Sequence, residues 1–71
     1  MRFVIYSYHG RGSAPRLWDE NKPLPKPGFI MKINEVMYRV ERVNVETKRN
    51  ENGEVLDEYH GVILEKIDER D

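Results

Sequence analysis

The chain predicts a small all-β fold, either a small SH3-like barrel or a strongly bent antiparallel sheet of four to five strands with a long first loop. Three observations carry this. Phe29, Met31 and Ile33 alternate with Ile30 and Lys32, and Val36, Tyr38 and Val40 alternate with Met37 and Arg39. Folding at Asn34-Glu35 brings the pairs Ile33/Val36, Met31/Tyr38 and Phe29/Val40 to one side, the period-two mark of a hairpin with one buried face. The phase then slips, because the next apolar residues, Val43 and Val45, are odd-numbered. An extra residue at Glu41-Arg42 restores it, which is how a β-bulge bends a strand. Lastly, Asn52-Gly53 supplies the positive φ angles of a tight hairpin turn.

The elements follow in order. Arg2 to Tyr8 (RFVIYSY) is rich in aromatic and β-branched residues and predicts the first strand. Phe3 and Ile5 are expected to face the core, with Val4, Tyr6 and Tyr8 on a second face that is also apolar enough to be covered. His9 to Pro27 has no periodicity and holds all four prolines. Loops this long in small domains are commonly functional or disordered. Leu17-Trp18 interrupts its polarity and is expected to pin it to the barrel, with a helical turn over Pro15 to Glu20 as an alternative. The segment Pro23 to Pro27 reads as a stiff, extended connection presented outward. Gly28 opens the hairpin, whose second strand continues to Thr47 or Lys48. A two-residue turn at Asn52-Gly53 sets Lys48 opposite Asp57 and Val43 opposite Val62, whereas a three-residue turn sets Glu46 against Glu58; the first is preferred. The last strand runs from about Val55 to Ile67, with a break expected at His60-Gly61. Asp68 to Asp71 are expected to fray.

Seventy-one residues make one domain, 1–71, with a small core. The chain has no cysteine, which removes disulfides and thiolate metal sites. No apolar run reaches the length of a membrane span, and Met1 to Tyr8 is too short for a signal peptide, so a cytoplasmic protein is expected. The net charge of −1 conceals an asymmetry: residues 1–50 carry +5 and residues 51–71 carry −6. Cross-strand pairing of the acidic last strand with basic neighbours is the simplest explanation.

Catalysis needs a nucleophile or paired acid and base. Ser7, Ser13, His9 and His60 lie in no such motif, so no catalytic residue, metal site or cofactor is expected, and both histidines read as surface residues. Gly10, Arg11, Gly12 and Ser13 follow a strand and permit a concave array of N–H groups, with Arg16 adding charge; this is a candidate phosphate site, although it lacks the P-loop pattern. Arg2, Arg11, Arg16, Lys22, Lys26 and Lys32, with Tyr6, Tyr8 or Trp18 as stacking surfaces, would suit a single-stranded nucleic acid. Glu51, Glu54, Asp57, Glu58, Glu65, Asp68 and Glu69 would suit a DNA mimic, a reading limited by the basic first half. Arg11, Arg16, Trp18 and Lys22 on the long loop combine the residue types that anchor protein interfaces.

The run Pro27-Gly28, Ile33, Tyr38-Arg39-Val40 and Val43 resembles the pattern of small β-barrel proteins encoded by bacteriophages. As a class these include structural adaptors and small inhibitors, so the resemblance implies a protein-binding role and transfers no particular residue. The expectation is a non-catalytic module that engages a protein partner by steric occupancy. Recognition of phosphate, in single-stranded nucleic acid or a nucleotide, is the alternative. Homo-oligomerisation through the basic and acidic halves is a third reading.

Overall fold

A computed structural model describes residues 1–67; the expected fraying of Asp68 to Asp71 lies outside the described residues. The strands are β1 (Arg2–Tyr8), β2 (Arg11–Gly12), β3 (Arg16–Leu17), β4 (Ile30–Ile33), β5 (Val36–Arg49) and β6 (Val55–Lys66), and there is no helix among the described residues. They form one sheet in the order β2-β1-β6-β5-β4, with β3 pairing the same edge of β1 as β2. The sheet bends strongly but does not close into a barrel.

The central hairpin forms as its pattern dictates. Ile33 faces Val36 and Met31 faces Tyr38, joined through Asn34 and Glu35 at φ 49° and 68°. Positive φ at both central residues matches the right-handed twist of the flanking strands. Tyr38 and Val40 are buried, as expected of that face. Phe29 departs from it: its carbonyl accepts the Val40 N–H at 2.8 Å, yet it is 54% exposed at the mouth of a groove. The bulge falls at the expected place. Val40 pairs with Leu64 and Arg42 with Ile63, leaving Glu41 as the extra residue.

The β5–β6 turn combines both expected geometries. Gly53 N–H donates to the Asn50 carbonyl at 3.0 Å, and Gly53 alone in the turn has positive φ, at 82°, so this is the three-residue form. Yet Lys48 does face Asp57 and Val43 does face Val62, as the two-residue form required. A second register shift, where Arg49 pairs with Val55 and Lys48 with Asp57, leaves Leu56 as an extra residue and reconciles the two. The freed Leu56 carbonyl accepts from the N-terminal ammonium at 2.9 Å. β6 runs unbroken through His60 and Gly61, against expectation, because both residues sit in ladders on each side.

β1 pairs β6 in parallel, with Val4 beside His60 and Tyr6 beside Val62. That register corrects the expected facing of β1: Val4 and Tyr6 are buried, while Phe3 and Ile5 lie half-buried on the opposite face. The core is accordingly Val4, Tyr6, Tyr38, Val40, Val62 and Leu64. The long first loop is not free either. His9 and Gly10, at φ 53° and 73°, turn the chain so that β2 pairs back on β1, and β3 follows in place of the helical turn. The turn is fastened by Ser13 and Tyr6: the Ser13 N–H donates to the Tyr6 carbonyl, and the Tyr6 N–H donates to Ser13 Oγ. Trp18 and Leu24 then pack on the core and Pro25 is buried, so the proline segment covers the sheet rather than projecting from it.

Candidate functional site

Because the sheet stays open, β4 at one end and the β1/β3 edge at the other face each other across a seam. The chain from Trp18 to Phe29 lies along it. Here a depression of about 530 Å³ is walled by Tyr6 and Trp18 on one side and Phe29 and Met31 on the other, with Leu24 and Pro25 from the loop between. A second depression of about 210 Å³ continues it, sharing Tyr6 and Met31. Lys22 and Lys26 line the first, and Arg16 and Lys32 the second. No carboxylate among the described residues lines either one.

The cations are held by aromatic surfaces rather than by acids. The Lys22 ammonium sits 4.4 Å from the Trp18 ring centroid, and the Arg16 guanidinium 6.0 Å from that of Tyr6. Neither is ion-paired to a carboxylate among the described residues. Burial raises the Tyr6 hydroxyl above the ordinary tyrosine range, and Arg16 pulls it partly back. Trp18 is anchored by its backbone, whose N–H donates to the Arg2 carbonyl at 2.8 Å. Its indole Nε1 is buried with no hydrogen-bond partner among the described residues, so packing holds the ring.

Of the residues read as partner-binding, the fold brings Arg16, Trp18 and Lys22 to this seam. Arg11 stands apart, exposed in the β1–β2 hairpin. The candidate phosphate loop, Gly10 to Ser13, is a paired hairpin arm whose Ser13 N–H and Oγ are both engaged with Tyr6. Tyr6 is buried and cannot serve as an open stacking platform. Lys26 and Lys32, gathered in the nucleic-acid reading, do line the seam. The sequence alternation places Phe29 and Met31 on the hairpin's core face, and no local signal marks them as groove walls.

The histidines are separated. His9 Nε2 lies 3.0 Å from the Tyr38 hydroxyl, while His60 Nε2 lies 3.1 Å from Glu58. His60 corrects the surface reading, being only 8% exposed because Val4 and Val45 flank it in neighbouring strands. Among the described residues no helix is long and apolar enough to cross a membrane. No known protein family, curated protein or solved structure matches the chain.

Proposed function

We propose that the protein is a non-catalytic binding module whose open seam receives an extended, acidic segment of a protein partner. One observation carries this: an apolar groove between two sheet edges, lined by Arg16, Lys22, Lys26 and Lys32 and, among the described residues, by no acid. Apolar walls supply area, and Trp18 supplies the kind of anchor that dominates interface energetics. The cations supply steering and discriminate against basic segments. Among the described residues β4 pairs only β5, so its outer edge offers backbone groups free to meet a bound strand. Occupying such a segment would block or bridge the partner sterically, the mode of an inhibitor or adaptor.

Trp18 is the sole tryptophan, which gives a direct readout. Peptides alternating Asp or Glu with Leu or Phe should change its fluorescence saturably, while Lys-for-acid counterparts should not. Reversing Lys22 to Glu should weaken binding about tenfold or more. Equal response to acidic and basic peptides, or none at millimolar concentration, rejects the reading. Saturable binding of an oligonucleotide or nucleotide instead, with steep salt dependence, would favour the phosphate alternative.

A further inference from the structure

The sheet has a second face, and nothing in the described chain covers it. Phe3, Ile5, Tyr59 and Ile63 lie there half-buried against one another, with Phe3 stacked on Tyr59 at 5.3 Å and Leu17 beside them 63% exposed. A stable domain sets its apolar sheet face against another layer. The loop supplies that layer on one side only.

We propose that a second copy of the chain packs face to face on this surface, about a two-fold axis that crosses the strands at the Ile5–Gly61–Asn44 row. The register makes that row a centre of symmetry for the side chains. On one side of it lies the row Leu17, Phe3, Tyr59, Glu46, and on the other the row Gly12, Ser7, Ile63, Arg42. A two-fold through the middle row brings each outer row over the other in the second copy. Leu17 then meets Gly12, Phe3 meets Ser7, Tyr59 meets Ile63 and Glu46 meets Arg42. Large opposes small, and acid opposes base.

The charges support the same occupant. Neither Glu46 nor Arg42 has an ion-pair partner among the described residues, and along one strand they stand about 13 Å apart, too far to pair with each other. Each of the next rows outward holds an internal ion pair, Arg39 with Glu65 on one side and the N-terminal ammonium with Asp57 on the other, where Lys48 adds a further positive charge opposite Asp57. A depression of about 250 Å³ over Gly61 lies on the axis, where two packed sheets approach most closely. An axis parallel to the strands would instead set Glu46 over the Leu17 side and leave both charges without partners.

Charge reversal in sedimentation equilibrium tests this, over about 1 µM to about 1 mM protein. The wild-type chain should interconvert between monomer and dimer. Glu46→Arg and Arg42→Glu should each raise the dimer dissociation constant at least about tenfold, since every change acts twice across a two-fold. The double variant E46R/R42E should return to within about threefold of wild type. Both positions are exposed, and circular dichroism verifies that each variant folds. A chain that stays monomeric throughout, or a dimer that ignores the swaps, or a double variant no better than the singles, overturns the proposal.

Discussion

Leu64 and Ile63 are neighbours in β6, yet Leu64 is buried beneath the loop-covered face while Ile63 lies half-exposed on the bare one. The same contrast runs through β1, where Val4 and Tyr6 are buried and Phe3 and Ile5 are not. Hydrophobicity does not separate these pairs. What separates them is the segment from Trp18 to Pro25, which packs on one side of the sheet and not the other. The covered face accordingly carries stability, and the bare face is available for association. Leu64→Ala should cost about 2–5 kcal/mol, as core truncations do. Ile63→Ala should cost only about 1 kcal/mol in the monomer, in proportion to its smaller burial. Urea unfolding at low protein concentration measures both. Equal losses would show that the bare face is already covered within one chain.

That comparison also explains what could be read from the residues alone. The β4–β5 turn, the bulge at Glu41 and the pairing of Val43 with Val62 were legible, because each depends on neighbours or on a period carried continuously along the strand. The facing of β1 was not. Phe3 and Ile5 are as apolar as Val4 and Tyr6, so the phase is set only by the parallel pairing with β6, a contact more than fifty residues away. The bulge at Leu56 was equally silent, since it compensates a turn rather than breaking a hydrophobic pattern. Within the candidate site, Trp18 and Lys22 stood out as an aromatic and a cation in one polar loop. Their partners across the seam, Phe29 and Met31, did not, because a seam exists only where two distant edges fail to meet.

Two turns of like geometry sharpen the comparison at smaller scale. At β1–β2 the second positive-φ position is Gly10, and at β4–β5 it is Glu35, at φ 68°. A side chain in that region costs roughly 1–2 kcal/mol relative to right-handed backbone. Glu35→Gly should therefore stabilise the fold by about 1 kcal/mol, after some loss to the greater freedom of glycine when unfolded. A rise in melting temperature checks it. A fall would mean that the Glu35 side chain makes a contact worth more than the strain.

On the bare face, Gly61 allows a finer test. A Cβ built there would meet only the Asn44 carbonyl, at 3.6 Å, an ordinary contact. Gly61→Ala should thus stabilise the monomer by about 0.4–1 kcal/mol by restricting the unfolded chain. Thermal unfolding at low concentration reads this directly. A loss of similar size would show that the depression at Gly61 is occupied or strained in the single chain, against the picture of an open face.

The subtlest difference between the faces lies in alkaline solution. Tyr6 is on the covered side, where burial raises its hydroxyl above the ordinary value near 10, with Arg16 partly opposing. A hydroxyl held protonated longer in the folded state than in the unfolded one contributes stability that is fully present below the unfolded pKa. That contribution is lost as pH rises through the folded value, because the unfolded chain releases its proton first. Stability should therefore decline above about pH 10. Tyr6→Phe should flatten that decline, since it removes the ionisation and keeps the ring. Removing the Arg16 charge by Arg16→Gln should steepen the decline, because the force opposing burial is then gone. If Tyr6→Phe leaves the alkaline limb unchanged, the Tyr6 hydroxyl reaches solvent in the folded protein, and the loop does not seal the covered face as tightly as Trp18 and Pro25 suggest.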